Sequence, residues 1–511
     1  LEAAEAVIDL SPWPDAPWPM DTVESLVDQS LVRALPQPDG ETRFGLFRSI
    51  QDYARSKLCE AGAVRGPDGE SFGGQASRDE AALRHAEHFA RWGDEEELAL
   101  LRSHGALDVR NRLTADLDNL VAATRNALAV DEGTTAGMAA LGALAVLEST
   151  GPFTLAVQLS EQALAVGGDA TVHGRLREAL GVVLNRSGQA EEAREQLDQA
   201  LLVARQERLA GFEARVLLGL GANALHSGRL EDAETRLREA LDRLRREPDD
   251  ALQAAVLAEL AHVVGIRGGR FEEGTAAARR ALDMQRSVGD VGGEAVTLSY
   301  LGALSAIQGR FDEGLDAYAA SRDLASQTGD RRTAGLSQGM MGSIYGLTGR
   351  HTEASQAFRN AIRIQSSIGD RVHEAMHVSN YGHLLKDMGE LAEAVRWFER
   401  AIALARDIGD PRSEGLSLGT LGELRAEQGQ HGDALLTLQE GEARLREAGD
   451  PIELGKLLCK LGQVLLSVGD REGASTQLQQ VSELAVELAV GEESELSTRL
   501  RGLQEAVAAS A

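Results

Sequence analysis

A Gly-Asp pair recurs at residues 289–290, 329–330, 369–370, 409–410 and 449–450, a spacing of 40 residues. A fixed period of this length marks stacked copies of one small unit, because a single copy cannot bury its own apolar face. Further columns keep the same frame. Leu301-Gly302, Met341-Gly342, Tyr381-Gly382, Leu421-Gly422 and Leu461-Gly462 pair a large residue with a glycine. A second glycine follows at Gly309, Gly349, Gly389, Gly429 and Gly469, then a small residue at Gly314, Ala354, Ala394, Ala434 and Ala474. Tyr318, Phe358, Phe398, Leu438 and Leu478 complete the unit. Upstream, Leu180-Gly181 and Leu220-Gly221 fit without adjustment, and Leu260-Ala261 fits with one residue inserted near Gly268-Gly269. Leu141-Gly142 is a degenerate first copy, which makes about nine units between residues 131 and 485.

Each unit reads as a helical hairpin. Gly409 suits the left-handed turn that ends a helix, Asp410 caps the next one, and Pro411 fits its first position; Pro451 repeats the arrangement. Large residues recur at three- and four-residue steps within each helix. The glycine column lies inside a helix, where glycine costs about 1 kcal/mol against alanine. Repeating that cost implies close helix contact at each glycine.

The Leu-Gly, Gly, Ala and large apolar columns resemble the tetratricopeptide repeat, in the 40-residue form with longer second helices. The resemblance implies an all-α fold, a right-handed superhelical α-solenoid whose first helices line a concave groove. It covers most of the chain and implies a protein or peptide ligand in that groove, with a small inducer as a further ligand class. Ser299, Ser343, Ser379, Asn380, His383, Lys386, Glu423 and Gln463 are then the candidate groove residues. Asn380 is singled out because a side-chain amide both donates to and accepts from an extended backbone.

The front is built differently, since seven of the eleven prolines precede residue 68. "DTVESLVDQSL" predicts a helix, "LVRAL", "PQPDGE" and "TRFGLF" a strand, turn and strand, and "RSIQDYARSKLCEAG" another helix. That order is the closing half of a winged-helix fold. The expected divisions are a partial winged-helix segment at 1–63, a flexible linker at 64–80 and a helical connector at 81–130. The solenoid at 131–485 and a capping helix and tail at 486–511 follow. "LEAAEAVIDL", "LVDQSLVRAL…TRFGLFRSIQDYARSKL" and "RHAEHFARW…DLDNLVAATRNAL" resemble the segment that follows the nucleotide-binding core in STAND-class signalling ATPases, including bacterial transcriptional activators. The resemblance implies an upstream NTPase core, a fragment of a longer chain and a role in regulating transcription. No Gly-x-x-x-x-Gly-Lys-Ser/Thr occurs here, so no cofactor is expected within these residues.

Composition narrows the partners. The formal charge is −28, which repels a phosphate backbone and counts against nucleic acid. Two cysteines, Cys59 and Cys459, form no disulfide framework, and no apolar run matches a membrane span. A cytoplasmic location is expected.

One stretch suggests chemistry. "RVHEAMHVSNYGHLL" holds His373-Glu374-x-x-His377 and His383, the spacing of a zinc-protease helix in which Glu374 would be the general base. The repeat frame opposes it. On a continuous helix His383 lies about 240° around the axis from His377 and points elsewhere. His377 shares its column with Thr297, Ser337, Ser417 and Leu457, which reads as a half-exposed boundary. The reading is therefore a non-enzymatic binding or sensing module of a signalling ATPase. A stand-alone scaffold for protein partners is the alternative, and a zinc metalloprotease a remote one. Metal analysis of the purified chain tests the last: a protease requires stoichiometric zinc and proteolysis abolished in Glu374→Gln.

Overall fold

The computed structural model describes residues 2–8, 15–36, 42–62, 64–65, 71–103, 105–488, 491 and 494–510. The front comprises α1 (Glu2–Val7), α2 (Pro19–Asp28), β1 (Val32–Pro36), β2 (Thr42–Leu46) and α3 (Arg48–Cys59). β1 and β2 pair antiparallel with Val32 opposite Leu46, giving the expected helix, hairpin and helix. The turn read at "PQPDGE" lies, after Pro36, outside the described residues. Within the span read as a linker, β3 (Val64–Arg65) pairs with β4 (Ser71–Phe72), and α4 (Gln75–Ala90) begins there. Next come α5 (Glu95–Ala99), α6 (Ala106–Ala115) and α7 (Leu117–Ala129).

Antiparallel hairpins occupy the rest. Their helices are α8 (Gly133–Thr150), α9 (Phe153–Leu164), α10 (Ala170–Ser187), α11 (Ala190–Gln206), α12 (Ala210–His226) and α13 (Leu230–Leu244). Then follow α14 (Asp250–Ala261), α15 (Phe271–Val288), α16 (Val291–Ile307), α17 (Phe311–Thr328), α18 (Arg331–Leu347) and α19 (His351–Ile368). The series ends with α20 (Arg371–Asp387), α21 (Leu391–Asp407), α22 (Pro411–Glu427), α23 (His431–Ala448), α24 (Pro451–Ser467), α25 (Arg471–Glu487) and α26 (Glu495–Ala509). This is an all-α solenoid fold.

The chain divides into two compact units. One holds residues 1–183, 194–220 and 238–249; the other holds 184–193, 221–237 and 250–511. In the first, Phe89, Leu113, Leu120, Leu144, Leu147 and Phe153 form a continuous core that joins the connector helices to the first hairpins. In the second, each hairpin centres on one contact. A Cβ on Gly302 would lie 3.0 Å from the Tyr318 ring, one on Gly342 3.2 Å from Phe358, and one on Gly382 3.1 Å from Phe398. The two helices thus approach until a ring rests on bare backbone. Where the ring position is alanine, Ala278, the glycine position carries a Cβ as Ala261. At the last unit Gly462 meets Leu503 of α26 instead, so α26 covers the open end of the stack.

The joints follow the capping rules. Gly289, Gly329, Gly369, Gly409 and Gly449 have φ between 64° and 80°, and the next aspartate accepts from the backbone N–H three residues on. The inserted residue is absorbed locally: α14 continues into a π turn at His262–Arg267. One wider turn takes up one extra residue without displacing the following hairpins. There Gly265 and Gly274 meet backbone to backbone, a Cβ on Gly265 falling 2.9 Å from the Gly274 Cα.

The expectation that the His377 column is half-exposed fails. Thr297, Ser337 and His377 are fully buried, and Ser417 and Leu457 nearly so. The column packs on the preceding unit, not on solvent. His377 sits over Gly339, where a Cβ would be 2.1 Å from the imidazole, and Leu457 sits over Gly419 at 3.2 Å. Bulk in one unit is matched by absence of bulk in its neighbour.

Gly382→Ala gains about 1 kcal/mol of helix propensity but presses a Cβ into the Phe398 ring, which costs about 1–3 kcal/mol. The expected result is a lower chemical-denaturation midpoint. In a double-mutant cycle Phe398→Leu should recover part of that loss.

Candidate functional site

Polar side chains from successive first helices meet on one face of the second unit. Glu423 of α22 accepts from Lys386 Nζ of α20 at 2.8 Å and lies 3.0 Å from Lys460 Nζ of α24. One carboxylate therefore bridges three neighbouring hairpins. Burial alone would raise its pKa, but Lys460 and Lys386 hold it at about 2. Lys460 pays the desolvation cost, and its pKa is lowered by burial against the pull of Glu423. His383 stands beside them, exposed, its ring edge-on to Phe398 at 4.9 Å. Its pKa is lowered by burial among protein atoms and then by Lys386 and Lys460.

A second cluster lies upstream on first helices. Tyr300 of α16 donates to Glu259 of α14 at 2.8 Å, and its ring stacks on His262 at 4.7 Å. Burial would raise the Glu259 pKa, but His262 and Tyr300 bring it below the ordinary value. Between the two clusters Arg332 reaches Asp370 at 3.1 Å, and His373 Nδ1 lies 2.9 Å from the same carboxylate. Asp370 is fully buried and its pKa is strongly depressed: burial opposes that, and His373 and Arg332 outweigh it.

The structure brings His383, Lys386 and Glu423 together from the expected set. Ser343, Ser379 and Asn380 are half-buried and Gln463 is exposed; none makes a side-chain hydrogen bond to the described residues. Their donors and acceptors are open to a ligand. Ser299 lies off the accessible face, buried, with its hydroxyl donating to the Val296 carbonyl at 2.7 Å. Sequence reading passed over Lys460, Glu259 and Tyr300. All three occupy the column of Asn380, immediately before the large-small pair, and reading that column as a whole would have found them.

The three histidines of the zinc-like stretch have separate surroundings. His373 is held by Asp370, His383 faces Phe398, and His377 is buried with neither ring nitrogen bonded to the described residues. Glu374 is buried between Arg371 and Arg400. Among the described residues no group of three or more His, Cys, Asp or Glu could hold a metal ion. No helix among them is long and apolar enough to cross a membrane.

Burial drives the His377 pKa down to about 3, with His373 adding to the effect. The unfolded chain binds a proton near pH 6.5 that the folded chain refuses. Stability from the neutral ring is complete above pH 6.5 and falls by about 1.4 kcal/mol per pH unit below it, down to pH 3. His377→Leu reproduces the Gly419–Leu457 pairing, so its denaturation midpoint should lack this part of the acid-side slope.

Family models match two segments: a tetratricopeptide repeat over residues 170–246 and a MalT-like TPR region over residues 328–501. No curated protein matches the sequence. Among solved structures, a Rap protein complexed with competence and sporulation factor aligns at 14% identity and a TM-score of 0.49, covering 74% of this chain and 99% of its own. A STAND protein with a tetratricopeptide repeat sensor from Pyrococcus horikoshii aligns at 15% identity and 0.47, covering 93% of this chain and 62% of its own. The apo quorum sensor NprR from B. thuringiensis aligns at 15% identity and 0.44, covering 72% and 99%. Residues 170–246 and 328–501 are tetratricopeptide-repeat segments, the second of the MalT-like kind.

Proposed function

We propose that the chain is a non-enzymatic binding and sensing module, and that the first-helix face of its second unit receives a protein segment or peptide. One observation carries the reading. Asn380, Ser343, Ser379 and Gln463 offer uncommitted hydrogen-bonding groups beside a charge bridge, Lys386–Glu423–Lys460, that joins three hairpins. An extended backbone needs paired donors and acceptors at intervals, and a row of side chains from successive repeats supplies them. A ligand that contacts several hairpins at once changes the free energy of their relative arrangement, which is how binding becomes a signal.

The regulatory part of the proposal places this module beside an NTPase core of the STAND type, in a cytoplasmic regulator of transcription. The resemblance of the front segment supports it. So does the exposure there of Leu35, Phe44, Leu46, Phe47 and Tyr53, apolar side chains suited to packing on a neighbouring domain. A phosphate-loop motif encoded upstream of Leu1 is the expected finding, and its absence would leave a stand-alone scaffold.

Peptides selected on the purified chain from a random library test the binding surface. Asn380→Ala and Gln463→Ala should each weaken the selected peptides about 10-fold or more, the effect of leaving a buried polar group unpaired. Thermal midpoints should be unchanged. Unaltered affinity in both variants would remove this face from the proposal.

A further inference from the structure

On the second helices, away from the first-helix face, α19 and α21 line an open, shallow cleft of about 410 Å³. Three arginines line it, Arg359, Arg363 and Arg400, with Ser366 and Trp397. A fourth, Arg331, reaches its edge and donates to Ser367 at 2.7 Å. Among the described residues no carboxylate lines the cleft. Glu374 is buried and shared by Arg371 and Arg400. Such a concentration of positive charge is unexpected in a chain of net charge −28.

The repeat supplies an internal control. Forty residues on, the positions of Arg359 and Arg400 hold Glu399 and Glu440; forty residues back, that of Arg363 holds Asp323. In the following unit Arg406 of α21 pairs with Glu440 of α23. Here the same two positions hold Ser366 and Arg400. A base has become a hydroxyl and an acid has become a base, so the ion pair that joins the two second helices in the following unit is missing here and positive charge remains.

Donors remain as well. Arg359 spends its Nε on the Tyr381 hydroxyl at 2.7 Å, leaving its terminal nitrogens. Arg363 is exposed and makes no ion pair or hydrogen bond through its side chain to the described residues, and neither does the Ser366 hydroxyl. A guanidinium fork matches two oxygens of one oxyanion. These donors exceed what the two oxygens of a carboxylate accept, whereas a phosphate monoester presents three oxygens and up to two charges. The cleft is larger than a phosphate group, and Ile362 and Trp397 give it an apolar wall for whatever the ester carries.

We propose that the cleft between α19 and α21 binds a phosphate monoester, its oxyanion held by Arg359, Arg363 and Ser366, with Arg400 adding charge. The ester is either a small phosphorylated metabolite or a phosphorylated side chain, since both present the same group.

The test uses the full chain and its tryptophan fluorescence, with phenyl phosphate, a phosphoserine pentapeptide and benzoate as probes. A saturable change is expected with one of the phosphate esters, weakened at least 10-fold in Arg363→Glu and lost in Trp397→Phe. Tighter binding of the pentapeptide identifies a protein source, and tighter binding of phenyl phosphate a small-molecule source; either supports the site. Arg363 is exposed, so its replacement should leave the thermal midpoint unchanged. No saturable change, equal affinity in Arg363→Glu, or benzoate binding as tightly as the esters would overturn the proposal.

Discussion

The four hairpins from α16 to α23 each rest an aromatic or leucine side chain against a glycine of the facing helix. Tyr318 on Gly302, Phe358 on Gly342 and Phe398 on Gly382 set how closely the two helices approach. That distance fixes which residues of the first helix turn inward and which stay accessible. Glycine weakens the helix it interrupts, and the ring it admits buries enough apolar surface to offset the loss. The substitution of Ala261 where the partner is Ala278 shows the same volume rule with smaller parts.

Between hairpins the rule recurs in another column. Gly339 receives His377 and Gly419 receives Leu457, each from the next unit. Neutral, buried and without a protein hydrogen bond, His377 is there as volume. Its cost is desolvation, visible in the depressed pKa. The π turn at His262–Arg267 is the remaining adjustment, taking up an odd residue so that all later columns stay in phase.

With spacing fixed by these contacts, side chains on the first-helix face can bridge repeats. Glu423 between Lys386 and Lys460, and Asp370 with Arg332, tie successive hairpins through charges of opposite sign. Their burial strengthens the pairs and also makes them costly to separate. Asn380 and Gln463 on the same face have no side-chain hydrogen bond to the described residues. On the other helices the broken pattern at Ser366 and Arg400 leaves a cleft with charge to spare.

The repeat, the hairpin joints, the capping aspartates and the contact glycines were all legible in the sequence, because period and turn chemistry are local. So was the single insertion, although not the π turn that absorbs it. The sequence also placed His383, Lys386 and Glu423 on one face, since residues 37–40 apart fall on adjacent first helices. What it could not assign was depth. His377 reads as a boundary residue and is buried, and Ser299 reads as a groove residue and is buried too. Burial depends on the side chain that arrives from the next hairpin, and that is decided by packing between units. Helix geometry already turned His383 away from His377. What only the tertiary structure decided is that His373 meets Asp370, His377 packs on Gly339 and His383 faces Phe398, because the neighbouring helices supply two of those three environments.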